Sequence, residues 1–151
     1  MADAELNFLG LANTAVRLVR EKFPEAELLE GDGVSPDGPT DDVRKVNQWR
    51  FVFRAEEGTV IIKSRTWGEF DQPELIPQPW LQDRVIPWPV PMDITAADKK
   101  LKESGYTGRY RTVTLRWPLF PGMNQPYYIF GTELGHYFVG VYDGKVKHTA
   151  L

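Results

Sequence analysis

The histidines are the side chains in this chain best suited to acid–base or metal chemistry, and there are two of them. A zinc site or a proton-transfer pair would need both His136 and His148, or one of them beside a carboxylate. Their spacing assembles no set of nucleophile, base and orienting group, and no metalloprotease, hydrolase or phosphate-loop motif occurs. The sequence therefore predicts no catalytic residue, no cofactor and no enzyme activity.

Carboxylates are the second group that could do chemistry. The segment 31–42 contains four aspartates, at Asp32, Asp37, Asp41 and Asp42. Aspartate oxygens bind hard cations, but this spacing is not that of an EF-hand loop. Aspartate and glycine are also the usual residues of turns. We interpret 31–42 as a loop and predict no metal site.

The tryptophans offer the clearest potential for binding. Trp49 and Trp117 alternate with polar residues on apolar strand faces, which predicts core positions for both. Trp67, Trp80 and Trp88 lie in or beside a proline-rich segment, where a rigid indole would anchor a protein partner or stack on a sugar. We predict these three as binding residues, although the sequence leaves open whether they are exposed or in the core.

Basic residues provide a second candidate binding surface. Four of them share or adjoin the polar face of the first predicted strand pair: Arg50, Arg54, Lys63 and Arg65. Such a face would attract an acidic partner, and we include Arg50 and Arg54 among the predicted binding residues. An ordinary solvated surface is the alternative, because Glu56 and Glu57 lie beside it.

Composition restricts the class of protein. The 151 residues are 42% hydrophobic and 13% aromatic, which is enough for a packed core, and the net charge is −3 with dispersed basic residues. There is no cysteine, no leader-like start and no apolar run long enough to cross a membrane. We expect a soluble, cytoplasmic chain without nucleic-acid or membrane partners. The sequence leaves open whether a leader was trimmed and whether the chain forms homo-oligomers.

An internal repeat indicates the architecture. Shifting the sequence by 77 positions gives five identities within the 18 positions 47–64, where chance would give about one. The pairs include Asn47 with Asn124 and Phe53 with Phe130. Apolar residues keep the same parity in both segments, as a shared strand register requires. The repeat predicts two equivalent hairpins.

Two helices are predicted from the spacing of apolar residues. Within residues 4–22 the apolar side chains fall on one face of a helix, and Asp3 is a suitable N-cap. A shorter helix follows near Ile94, where Thr95 and Asp98 resemble a capping box and Asp93 is the alternative cap.

Alternating apolar and polar residues predict the strands. They cover residues 26–30, 46–54, 59–65, 109–117, 127–130, 136–142 and 145–149. The dipeptide Asp143-Gly144 predicts a two-residue type I′ turn before the last strand. Between the two halves, six of the twelve prolines fall within 73–91 among many apolar residues. This predicts an irregular strap that lies on the sheets or joins the two units.

The strand pattern resembles the PepSY-like tandem α+β modules. The resemblance rests on Tyr128-Ile129-Phe130, on 137–142 and on the turn 143–146, and more weakly on 47–64. It implies a fold-level relationship without a catalytic signature, and a role as an inhibitor or interaction module, especially toward peptidases. This chain differs in having no leader and in carrying the proline- and tryptophan-rich strap. A cystatin-like sheet around a helix is the neighbouring fold.

The sequence thus predicts an α+β fold of two similar helix-plus-antiparallel-sheet units. The first covers 1–70, the strap 71–92 and the second 93–151, with a single compact domain left open. The predicted function is a non-enzymatic protein-binding module of inhibitor, immunity-protein or regulatory type. The alternative is a small-ligand or carbohydrate-binding protein, with Trp80 and Trp88 lining a pocket between the units.

Overall fold

One antiparallel sheet dominates the computed structural model, which describes residues 8–66 and 68–149. Its strands are β1 (Glu27–Val34), β2 (Gln48–Ala55), β3 (Gly58–Thr66), β4 (Glu69–Phe70), β5 (Glu74–Ile76), β6 (Asp83–Arg84), β7 (Tyr110–Pro118), β8 (Tyr127–Thr132), β9 (Gly135–Gly140) and β10 (Val146–Thr149). The helices are α1 (Phe8–Lys22) and α2 (Ile94–Glu103), with a short 3-10 helix at Val43–Lys45.

The strand order corrects the predicted fold class. The strands run β10-β9-β8-β7-β1-β2-β3-β4, with β5 paired to β3 and β6 paired to β7. Because β1 and β7 are hydrogen-bonded neighbours, with Gly31 opposite Leu115, the strands form one ten-stranded sheet. The prediction of two helix-plus-sheet units joined by a strap, PepSY-like or cystatin-like, is therefore wrong. Pairing β1 with β7 hides two edges that would otherwise be open to other chains.

Strand β1 is longer than predicted, and two glycines explain why. It continues to Val34, so the first four residues of the predicted loop 31–42 are strand. A Cβ on Gly33 would lie 2.5 Å from the Trp49 ring, and one on Gly31 would lie 3.0 Å from Phe51. The Trp49 ring therefore leaves no room for a side chain at Gly33, and the Phe51 ring leaves little at Gly31.

The two predicted hairpins are confirmed, and they keep the 77-residue offset in their pairing. Phe53 lies opposite Val60, and its counterpart Phe130 lies opposite Tyr137. Both turns end at a glycine with positive φ, Gly58 at 146° and Gly135 at 110°. The repeated glycine thus has a conformational reason in both hairpins.

Both helices pack on one face of the sheet. Phe8 of α1 lies 4.6 Å from the ring of Trp49 and 5.8 Å from that of Tyr128, so the helix contacts strands from both halves of the chain. Helix α1 ends at Lys22, before Pro24, as the residue preceding a proline favours. The predicted start of this helix at residue 4, with its Asp3 cap, lies outside the described residues.

Asp93, and not Thr95, caps α2. One oxygen of Asp93 accepts from the Thr95 amide at 3.2 Å. Asp98 does not form the predicted capping box, because its carboxylate binds the Tyr110 hydroxyl and Lys102. Burial and this carboxylate raise the pKa of Tyr110 far above its ordinary value.

The predicted type I′ turn at Asp143-Gly144 is wrong. Gly144 has a positive φ of 68°, but no described non-glycine residue has one, so Asp143 does not. The loop is instead held by the Gln125 side chain, whose Oε1 accepts from the amides of Tyr142 and Asp143. The turn itself is closed by the Gly144 amide, which donates to the Gly140 carbonyl, and Asp143 Oδ1 accepts from the Lys145 amide.

The strap passes from one side of the sheet to the other. It pairs with β3 through β5 and with β7 through β6, where Asp83 lies opposite Pro118. Beyond β6, the Ile86 amide donates to the Leu28 carbonyl, and Ile86 and Val90 enter the core beneath the helices. The prediction that the strap lies on the sheet holds for its first part only.

Candidate functional site on the open face of the sheet

The face of the sheet opposite the helices, here called the open face, has its own arrangement of side chains. Leu29, Val52, Tyr127 and Ile129 are buried without belonging to the core beneath the helices. The strap covers only part of this face, so the remainder is accessible to a ligand.

Strand register aligns one residue from each of seven strands into a line across the open face, here called the central row. From β3 to β10 its members are Lys63, Arg50, Asp32, Thr114, Ile129, Phe138 and Lys147. The row is charged from β3 to β1, and it becomes apolar on β8 and β9. A ligand lying along it would meet two chemically different ends.

Two clefts lie along this row. The first, of about 650 Å³, extends over β3, β2, β1 and β7. The second, of about 570 Å³, extends from β1 to β10 and is bordered by Gln82 of the strap. They share Asp32, Thr112 and Thr114, so they form one continuous depression, here called the open-face groove.

A network of three carboxyl groups and two guanidinium groups lies beneath the middle of the groove. Arg116 Nε donates to Asp83 at 2.6 Å, and Arg50 Nε donates to Asp32 at 2.9 Å. Glu30 lies between these pairs, 3.8 Å from each guanidinium. The network joins β1, β2 and β7 to the strap.

Glu30 is the most perturbed acid of this network. It is 5% exposed. Burial is the main cause that raises its pKa well above the usual range, and hydrogen bonds to Asp32 and Asp83 raise it further. A neutral Glu30 leaves two carboxylates to balance the two guanidinium groups. The network then carries no net charge, which keeps the desolvation cost of its buried charges low.

The strap is fixed to the open face by the same network. Trp80 Nε1 donates to Asp83 Oδ2 at 2.7 Å, and the Arg50 guanidinium lies 5.7 Å from the centre of the Trp80 ring. Arg116 Nη2 also donates to the Gln82 carbonyl at 3.0 Å. These contacts position the wall of the groove.

The apolar end of the groove carries unusually exposed side chains. Phe120 and Met123 line it beside Phe138, and Phe120 is 69% exposed. Leu119, 51% exposed, is held beside the strap by a 3.4 Å hydrogen bond from its amide to Gln82. Leu81, next to Gln82, is 75% exposed but lines a separate pocket beside the β2–β3 turn. Exposed large apolar side chains grouped at a groove rim are typical of binding surfaces.

The predicted basic surface is largely neutralised by the chain itself. Three of its members pair with acids: Arg50 with Asp32, Arg54 with Glu27 and Arg65 with Asp71. Lys63 makes no ion pair with any residue that the structure describes. Of the four predicted basic residues, Lys63 therefore has the charge most available to a partner.

The predicted tryptophan residues are not brought together. Trp67 lies outside the described residues. Trp80 is on the open face, whereas Trp88 packs against the core on the helix side and donates to Asn13 of α1 at 2.8 Å. Trp49 is buried in the core as predicted, and Trp117 is partly buried against it.

The two histidines also lie apart. His136 lines the groove, whereas His148 stacks on Tyr137, with ring centroids 4.2 Å apart, and binds the Leu134 carbonyl. Over residues 8–66 and 68–149, no group of three or more potential ligands is placed to hold a metal ion. Asp42 has a local role, because it caps the 3-10 helix and its hydrogen bond from Arg44 lowers the pKa of its carboxyl group.

Sequence reasoning missed Glu30, Asp32, Asp83 and Arg116 as site residues. The signal for Glu30 and Asp32 was their alternation, which places both on one face of an extended chain. The glycine between them was interpreted as a turn residue. Asp83 was hidden among prolines, and nothing local connects it to a strand 33 residues away.

Comparisons with known proteins supply no relative for this chain. No protein-family model matches it, and neither do the curated proteins or the solved structures. Within its described part, the chain has no helix both long and apolar enough to span a membrane.

Proposed function

We propose that this chain is a non-enzymatic protein-binding module, of inhibitor, immunity-type or regulatory kind, and that the open-face groove is its docking surface. The main support is the exposed Phe120, which stands with Met123 and Phe138 at one end of a groove with a polar floor. Apolar anchors next to satisfied polar groups are the usual composition of a protein interface.

The polar network favours binding over catalysis. Asp32 in the groove floor and Asp83 beneath it already accept from arginines, and these contacts connect strands and strap. Such groups serve to hold a surface in shape, which lowers the entropy cost of docking.

Site-specific photo-crosslinking tests this proposal. A benzophenone amino acid replaces Thr112, an exposed residue shared by both clefts, and a matched variant carries it at the exposed Lys99 of α2. In lysate of the source organism, we expect a discrete stoichiometric adduct from the Thr112 position and none from Lys99. Equal labelling at the two positions, or no adduct at Thr112, would count against the proposal.

The small-ligand or carbohydrate alternative has less support. It relied on Trp80 and Trp88 sharing a pocket, but the sheet separates them. A panel of glycans and metabolites that raised the melting temperature would favour this alternative.

A further inference from the structure

We infer that the groove receives an extended segment of the partner, which places an acidic side chain on Lys63 and a large apolar side chain on Phe138. This inference rests on the proposed function and specifies the chemistry of the partner.

The acidic anchor follows from the charges around Lys63. Lys63 lies directly opposite Arg50, and like charges in this arrangement are unfavourable unless an anion lies nearby. Arg50 forms an ion pair with Asp32, but Lys63 has no acidic partner among the described residues. Within the first cleft, Arg50, Lys63 and Arg65 face Asp32 and Asp71, which leaves one positive charge in excess. A carboxylate from the partner would balance it.

The apolar anchor follows from the other end of the central row. Ile129 and Phe138 form adjacent members of the row, and Phe120 and Met123 stand beside them. A leucine, methionine or aromatic side chain from the partner would cover these groups and remove apolar surface from water. Lys147, beyond Phe138, is already turned over the Tyr127 ring, 5.7 Å from its centre.

The distance between the anchors fixes the spacing in the partner. Lys63 on β3 and Phe138 on β9 are separated by five strand intervals in the sheet order. At about 4.8 Å per interval this is roughly 24 Å, or about seven residues of extended chain. Between the anchors, the hydroxyls of Thr112 and Thr114 line the groove and can bond to the backbone of the partner.

Peptide selection tests the inference. A phage-displayed library of random peptides about twelve residues long is selected on the intact chain. We expect enriched peptides to share an Asp or Glu about seven residues from a Leu, Met, Phe or Trp. Fluorescence anisotropy of one such peptide should show binding weakened about tenfold or more by Lys63→Glu, which corresponds to losing one charge-assisted contact.

Two controls separate the acidic anchor from general charge effects. Lys99→Glu makes the same charge change on the exposed surface of α2 and should leave the affinity within about twofold. A peptide with Lys in place of its acidic residue should recover binding to the Lys63→Glu variant. Circular dichroism checks that each variant is folded. If Lys63→Glu does not fold, Lys63→Gln is used in its place.

Three results would overturn the inference. One is a selection that enriches no peptide or peptides without an acidic position. Another is an affinity unchanged by Lys63→Glu. The third is a tenfold loss from Lys147→Glu instead, which would place the acid at the other end of the row. Photo-crosslinking at Thr112 could still succeed in each case, so failure of this inference is distinguishable from failure of the proposed function.

Discussion

The carboxylate of Asp93 accepts a hydrogen bond from the backbone amide of Leu9 at 2.9 Å, although the two residues are 84 positions apart. The other oxygen of Asp93 accepts from the amide and the hydroxyl of Thr95. One side chain thus caps α2 and satisfies an amide in the first described turn of α1. The two helices that cover the sheet are thereby coupled.

Removing this shared cap should cost more than removing an ordinary one. Asp93→Ala should lower the free energy of unfolding by about 2 kcal/mol, because two helix ends lose an acceptor. Asp93→Asn keeps an oxygen and should lose about half as much. Urea unfolding followed by circular dichroism measures both. Asp37→Ala, at an exposed loop position, is the control and should change stability by less than about 0.5 kcal/mol. Equal effects of Asp93→Ala and Asp37→Ala would contradict the double role.

Glu30 should make the protein less stable as the pH rises. The pKa of Glu30 is raised in the folded protein above its ordinary 4.5, so between these two values the folded state holds a proton that the unfolded state has lost. The favourable contribution of the neutral acid is complete below about pH 4.5 and is lost as the pH rises toward the folded pKa.

Glu30→Gln should remove this dependence, since an amide keeps the hydrogen bonds and cannot ionise. We expect near-equal stabilities at pH 4, and at pH 8 a variant more stable than the parent by about 1 kcal/mol or more. Urea unfolding at pH 4, 6 and 8 gives the comparison. Glu74→Gln, at an exposed strap residue, should run parallel to the parent. If the stability of Glu30→Gln also changed with pH in parallel with the parent, Glu30 would not titrate as described.

Asp83 should be the residue on which attachment of the strap depends most. Its side chain is fully buried, and Asp83→Ala leaves Arg116 and Trp80 without their shared partner. We expect a loss of about 3 kcal/mol and faster proteolysis within 73–91. Asp71→Ala removes an exposed partner of Arg65 and should cost at most about 1 kcal/mol. If the two variants lost equal stability, the buried network would not be what holds the strap.

The two glycines of β1 should differ in how well they tolerate a methyl group. Gly33→Ala places Cβ 2.5 Å from the Trp49 ring, deep inside contact distance, and should cost about 2–3 kcal/mol. Gly31→Ala approaches Phe51 at 3.0 Å and should cost less, because a shift of a few tenths of an ångström relieves it. Urea unfolding ranks the two. The reverse order would mean that Trp49, and not Phe51, can move aside.

The local pattern of residues was enough to locate most elements. Alternation placed β2, β3, β7, β8 and β9 to within a few residues, and the 77-residue repeat correctly predicted two equivalent hairpins. The end of α1 at residue 22 was also predicted, and Asp93 was one of the two predicted caps of α2, since both features depend on neighbours within three residues. Such features are settled by backbone geometry over short distances.

Other local signals were overridden by distant partners. Glycines at 31 and 33 suggested a turn, but the rings of Phe51 and Trp49 needed the space that a Cβ would fill. Asp143-Gly144 suggested a type I′ turn, but the Lys145 amide that would close it donates to Asp143 Oδ1, and Gln125 accepts from the amides of Tyr142 and Asp143. For the two glycines, the residues that decide the conformation lie about 15 to 20 positions away in the chain.

The sequence by itself determined which residues alternate, where helices stop and that two hairpins share a register, because these follow from steric and hydrogen-bonding rules among near neighbours. Only the tertiary structure decided that β1 pairs with β7, that the strap crosses the sheet, and that Glu30, Asp83 and Arg116 meet beneath a groove. These contacts join segments far apart in the chain. Which segments pair depends on the strand edges and charges that remain unsatisfied once the local elements have formed.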